Sequence, residues 1–233
     1  MRAMQSPTAH LPWAGSPESH RTRIKICGLT READVDAAVC AGADAIGFVL
    51  YPKSPRALTP ARAGELARRL PPFVTPVLLF VQAPAAHIQA GLDQVPNALL
   101  QFHGDEDPDL CRASGRPYIR AVRMTPGTDL LDCARRFHDA QALLLDAFVD
   151  GFGGGGKAFD WSLVPSGVPL PLVLSGGLSP ASVTDGVLRL RPWAVDVSSG
   201  VEQSKGIKDA AAMRRFCQAV RAADAQRDAA PPP

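Results

Sequence analysis

The sequence has no run of about 18 uncharged apolar residues, the length a membrane-spanning helix needs, so a transmembrane protein is excluded. It has little net charge: 25 Lys plus Arg stand against 23 Asp plus Glu, a balance of +2 over 233 residues. That gives no general pull toward nucleic acid or anionic lipid, and any basic site has to be local. Paired cysteines are missing too. Cys27, Cys40, Cys111, Cys133 and Cys217 are odd in number, widely separated and never spaced as CxxC. This argues against a disulfide framework and a structural zinc site, and for a reducing compartment, the cytoplasm. No histidine stands at metal-ligand spacing from another, and His103-Gly-Asp-Glu106 lacks the second ligand cluster a cation would need.

What is present is enough apolar residue for a core, 46% hydrophobic against 21% charged, which is the balance of a globular chain. Residues 1–21, with prolines at 7, 12 and 17 and no apolar segment of signal-peptide length, read as a flexible leader outside the fold. Residues 227–233 read as a flexible tail. The body, 22–226, is near the lower size limit of one eightfold β/α barrel.

Within that body, β-like apolar runs occur at 23–28, 44–50, 73–81, 98–104, 117–124, 142–148, 171–176 and 194–199. Helical patterns separate them, such as Ala63, Leu66, Ala67 and Leu70 at i, i+3, i+4 and i+7. Thr30, Thr59-Pro60 and Ser179-Pro180 read as helix starts. Cys217 shares a helical stripe with Met213, Phe216 and Val220, and Cys133 one with Leu130 and Phe137; His87 and His138 also fall in helical patterns. Near-continuous Leu and Val runs such as 142–145 and 171–174 suit strands buried on both faces, and β/α alternation implies a parallel sheet. An open doubly wound sheet usually carries its glycine-rich phosphate turn after the first strand. Here the glycines cluster late, after runs seven and eight, where an eightfold barrel commonly holds phosphate. The fold class expected is therefore α/β, a single (β/α)8 TIM barrel.

Polar residues inside apolar strands can be sorted by face, because successive side chains alternate. Lys25 and Cys27 share a face, as do Gln101 and His103, Asp146 and Leu144, and Asp196 and Ser198. Most stand at carboxyl ends of strands, where a barrel builds its active site. Asp146, following three leucines, is either a buried carboxylate holding a loop through backbone amides or an acid tuned for proton transfer by apolar surroundings. Cys27 is either an inert packing cysteine or a proton-transfer group whose thiolate the Lys25 ammonium favours. The stretch Gly151-Phe-Gly-Gly-Gly-Gly-Lys157 is a surface loop, a lid or an anion cradle, and it lacks the GxxxxGK[ST] spacing of a P-loop. Gly176 and Gly177, and Gly200 with Ser199, present bare amides that suit a phosphate monoester or simply make tight turns. Arg56 is either a bidentate partner for an anion or a solvated surface cation.

The ordered set Lys25-Ile-Cys-Gly28, Gly42-Ala-Asp-Ala-Ile-Gly47, Tyr51-Pro-Lys-Ser-Pro-Arg56, Gln101-Phe-His-Gly104, Leu144-Leu-Asp-Ala147, Gly156-Lys-Ala-Phe-Asp-Trp161, Leu174-Ser-Gly-Gly-Leu178 and Asp196-Val-Ser-Ser-Gly-Val-Glu202 resembles phosphoribosylanthranilate isomerase over about 22–220. The resemblance implies a barrel enzyme of tryptophan biosynthesis that carries out an Amadori rearrangement on a small phosphosugar, with no metal and no organic cofactor. It implies no nucleic-acid or membrane partner, and a monomer, with a homodimer as the other assembly. By motif, Cys27 is the general base and Asp146 the general acid. Arg56 meets the anthranilate carboxylate, Gly176, Gly177, Ser199 and Gly200 hold the phosphate, and His103 and Asp196 line the sugar pocket. Three departures stand out: a glycine replaces the Ser or Thr expected before the last glycine of the lid, Val77-Leu-Leu-Phe80 lacks a glycine, and Phe102 replaces a Leu. The leader lies outside the resemblance, as a misplaced start codon would also produce. Other phosphosugar barrels, a phosphometabolite sensor and a thiol switch are the competing readings; an epimerase would want metal ligands or paired acids, and indole-glycerol-phosphate synthase a lysine acid.

Overall fold

The computed structural model describes residues 21–147 and 159–229. Eight strands, β1 (Arg23–Cys27), β2 (Ala45–Val49), β3 (Thr75–Phe80), β4 (Leu99–Phe102), β5 (Tyr118–Met124), β6 (Ala142–Ala147), β7 (Leu172–Leu174) and β8 (Ala194–Val197), pair in parallel and in sequence order. The ring closes where β8 pairs with β1, setting Lys25 opposite Asp196. Each strand lies inside the apolar run that predicted it and is shorter at one or both ends.

The strands read as continuous apolar runs because both of their faces are buried. One face packs on the helices and carries Ile26, Phe48, Leu78, Leu100 and Leu143, all fully buried. The other fills the barrel with Ile119, Ala121, Leu144, Val173 and Ala194. Removing one large apolar side chain of this kind from water contributes about 1.5–3 kcal/mol.

The helices are α1 (Glu32–Ala41), α2 (Pro60–Ala67), α3 (Ala85–Gln94), α4 (Pro108–Arg112), α5 (Leu130–Arg136), α6 (Val183–Leu190) and α7 (Ala210–Ala229). Between β6 and β7 the described residues hold only a 3₁₀ turn, Trp161–Leu163. Thr59 caps α2 as expected, accepting from the Arg62 amide with Pro60 at the first helical position. Two other start signals fail. Thr30 spends its hydroxyl on the Gly206 carbonyl, so α1 begins without a side-chain cap at Arg31. Ser179-Pro180 opens a turn stitched by the Ser182 hydroxyl, and α6 starts only at Val183. Leu70 and His138 both lie in turns beyond the helices expected to hold them.

A short antiparallel hairpin, β9 (Glu202–Ser204) and β10 (Ile207–Lys208), follows β8 and was not anticipated. At the chain ends, Arg21, assigned to the leader, pairs with Asp44, and α7 runs to Ala229, inside the expected tail. Thr22 donates both its amide (2.8 Å) and its hydroxyl (2.7 Å) to Asp224 of α7.

Candidate active site

Cys27 ends β1 at the carboxyl side of the barrel, buried among Val49, Leu79 and Val81. Its sulfur fits because Gly47 of β2 lies alongside; a Cβ there would come within 2.6 Å of Sγ. Two residues earlier on the same face, Lys25 Nζ lies 2.9 Å from Asp196 Oδ1, with both side chains at most 6% exposed. Burial works to lower the Lys25 ammonium, but Asp196 and Cys27 beside it hold it above its ordinary value. For Cys27, burial pushes the thiol up, and the opposing pull of Lys25 does not overcome it. Lys25 does pull toward the thiolate, as expected, but desolvation outweighs the neighbouring cation and the net shift is toward the neutral thiol.

Asp146, near the end of β6, is only partly buried and has two partners. His103 Nε2 lies 2.9 Å from Oδ2, and the Ala147 amide donates to Oδ1 at 3.0 Å. His103 Nδ1 is in turn 2.9 Å from Gln101 Nε2. β4 therefore supplies the acid on β6 with a hydrogen-bonded histidine, which sequence spacing does not reveal.

Arg56 sits in the loop after β2 and is buried, so the reading of a solvated arginine is corrected. Nε and Nη2 form a bidentate pair with Glu202 of β9, each bond 2.7 Å. Gly28, at φ 76°, makes the space: a Cβ there would lie 2.4 Å from Arg56 Cδ. Lys208 of β10 completes the cluster at 2.8 Å from Glu202 Oε1, and its ammonium also donates to the Ser198 carbonyl. Burial would raise the Glu202 carboxyl, but its bonds to Arg56 and Lys208 hold it below its ordinary value.

The loops after β7 and β8 meet at this mouth. Gly176 and Gly177 adopt φ of 75° and 68°, a left-handed backbone that suits glycine. Among the described residues nothing accepts from the amides of Gly176, Gly177, Ser199 or Gly200. Gly200 is required by closeness, since a Cβ there would fall 1.9 Å from the Leu178 carbonyl oxygen. Four N–H groups without an acceptor among the described residues, on two touching loops, are of the kind that can receive an anion.

A family model described as N-(5'phosphoribosyl)anthranilate (PRA) isomerase matches residues 24–219. The chain belongs to the phosphoribosylanthranilate isomerase family. The isomerase of Methylibium petroleiphilum is 72% identical over 206 residues, covering 88% of this chain and 97% of that one. The phosphoribosyl anthranilate isomerase of Thermotoga maritima superposes with a TM-score of 0.79 at 40% identity, covering 86% of this chain and 99% of that one. Another solved isomerase, in complex with reduced 1-(o-carboxyphenylamino)-1-deoxyribulose 5-phosphate, has a TM-score of 0.76 at 38% identity, with the same coverage.

The polar groups gather at the carboxyl end of the barrel. Cys27, Asp146, His103, Asp196 and Arg56 come to that end, with the loop positions Gly176, Gly177, Ser199 and Gly200. The lid 151–157 lies outside the described residues. Glu202 and Lys208 escaped the sequence reading as a pair, and so did Gln101 as a partner of His103. Glu202 closed a quoted motif, but its contact with Arg56 spans 146 residues and leaves no local pattern.

Proposed function

We propose that this chain converts N-(5-phosphoribosyl)anthranilate to 1-(2-carboxyphenylamino)-1-deoxyribulose 5-phosphate, the Amadori step of tryptophan biosynthesis, with Asp146 as general acid and Cys27 as general base. Asp146 donates a proton to the furanose ring oxygen as the bond from that oxygen to C1 breaks. The anthranilate nitrogen lone pair forms the C1=N bond and leaves a protonated imine. Cys27, as thiolate, takes the C2 proton, and the C2–H electrons form the C1=C2 bond of an enolamine, neutralising the nitrogen. Proton transfer from the C2 hydroxyl and to C1 then gives the ketone. The cationic imine beside Sγ offsets the burial that disfavours the thiolate, so the thiolate is most populated when it is needed.

The phosphate rests on the amides of Gly176, Gly177, Ser199 and Gly200, which need no counter-charge from the net sequence. Arg56 keeps Nη1 for the anthranilate carboxylate while Glu202 fixes its other edge. His103 and the second oxygen of Asp196 face the sugar hydroxyls. The observation carrying this reading is an acid and a thiol at the ends of β6 and β1, opening on one mouth rimmed by four unclaimed amides. The test is the fluorescence loss of freshly generated phosphoribosylanthranilate. Turnover is expected, with kcat falling about 10²- to 10⁴-fold in Asp146→Asn. Full activity in that variant removes Asp146 from the mechanism.

All assigned groups come from one barrel, so the proposed working unit is a monomer. The homodimer alternative would use Phe73, fully exposed at a φ of 70°. Light scattering showing a dimer that Phe73→Ser dissociates would replace the monomer. All five cysteines are free, which supports action in the reducing cytoplasm. Among the described residues no helix is long and apolar enough to cross a membrane.

A further inference from the structure

Gln101 is fully buried, its amide nitrogen faces His103 Nδ1 at 2.9 Å, and among the described residues its amide oxygen has no hydrogen-bond partner. A buried acceptor left without a donor is costly and needs a reason. One end of the amide is so placed in either orientation, and which end it is follows from proton counting. A neutral imidazole carries one proton on one nitrogen. When the Gln101 nitrogen donates to Nδ1, the ring proton is on Nε2 and points at Asp146 Oδ2, 2.9 Å away. Asp146 is then an ionised acceptor and has no proton to deliver.

A half-turn of the Gln101 amide reverses this. Oε1 then accepts from Nδ1–H, the amide nitrogen takes the position without a partner, and the contact between Nε2 and Oδ2 must hold a second proton, on the ring or on the carboxyl. The two ends of the amide are nearly the same size, so the turn displaces no neighbour. The two orientations therefore match two proton counts of the His103–Asp146 pair, one apart.

We propose that Gln101 is a positioning residue whose amide turns with that count, accepting from His103 when the pair is loaded and donating to it once the proton has gone to substrate. The inference rests on the reading of Asp146 as the acid. Of the charged groups, Arg123 is the register partner of Asp146 on β5, Asp105 and Glu106 follow His103 in the loop beyond β4, and Lys25, Cys27 and Asp196 belong to β1 and β8. Glu106 is already taken up by Arg120 and by the amides of Gln82 and Gly104. That leaves the amide of Gln101 as the group able to serve Nδ1 in both protonation states.

The test is a pH titration of the His103 ring nitrogens by 15N NMR in the full chain, alongside kcat profiles. In the wild type, Nδ1 is expected to carry a lone pair at high pH and a proton once the pair is loaded. Gln101→Met removes both options; Nδ1 should show mixed tautomers at high pH, with kcat down about tenfold and KM within about twofold. Gln101→Glu accepts only, so Nδ1–H should persist in it. A wild-type Nδ1 signal that does not change across the titration overturns the proposal, whatever the variants do. So does a Gln101→Met enzyme with the wild-type signal and profile. Failure of the acid reading looks different, because Asp146→Asn would then retain turnover while the nitrogen titration in the wild type stands.

Discussion

At the scale of single residues the site is governed by what each charge is buried against. Cys27 is pushed upward by burial despite Lys25, so its folded value lies above its unfolded one. For a thiol raised in this way, the stabilising protonated form is complete below the unfolded value and is lost as pH rises toward the folded one. The difference in ultraviolet thiolate absorbance between wild type and Cys27→Ser should therefore titrate above the free-thiol value of about 8.5. A midpoint below that value would mean that Lys25 dominates after all. Lys25 itself is tied to Asp196, both buried, and breaking such a pair from one side leaves an uncompensated charge worth about 3–5 kcal/mol. Lys25→Met is expected to lose that much stability in a urea titration, and Lys25→Met with Asp196→Leu to regain most of it. If the double variant is no more stable than the single one, the charge at Asp196 is not what the lysine answers.

At the scale of elements, the strands were legible and the contacts between loops were not. Runs such as Leu143-Leu-Leu145 announce strands because hydrophobicity is written into consecutive residues. A capping hydroxyl is legible only when nothing distant competes for it. Thr59 has the neighbouring amide to itself, whereas Thr30 is claimed by the Gly206 carbonyl, far along the chain. The same reason hid the link between the β2 loop and the β9–β10 hairpin, where Arg56, Glu202 and Lys208 are held together only by folding. That link has a pH signature. Glu202 is held below its ordinary value, so its contribution is complete above the unfolded value of about 4.3 and disappears as pH falls through the folded one. Replacing Glu202 by Gln should flatten the loss of thermal stability below about pH 4.3 and raise KM through a less constrained Arg56. An acid denaturation curve that overlays the wild type would remove Glu202 from the account.

Across the whole molecule, closure is double: β1 pairs with β8 inside, while Thr22 and Asp224 fasten the first strand to α7 outside. Asp224→Ala strands two donors and should cost about 1–3 kcal/mol, lowering Tm by about 2–4 °C per kcal/mol for a domain of this size. Scanning calorimetry showing no change would place the fastening elsewhere. The barrel itself was readable from eight apolar runs, but its closing charge pair was not, since Lys25 and Asp196 lie 171 residues apart. A nascent polypeptide emerging from the ribosome thus cannot close its ring or pair the Lys25 ammonium until β8, nearly the last secondary structure, is synthesised. Activity has to be the final property such a chain acquires during translation.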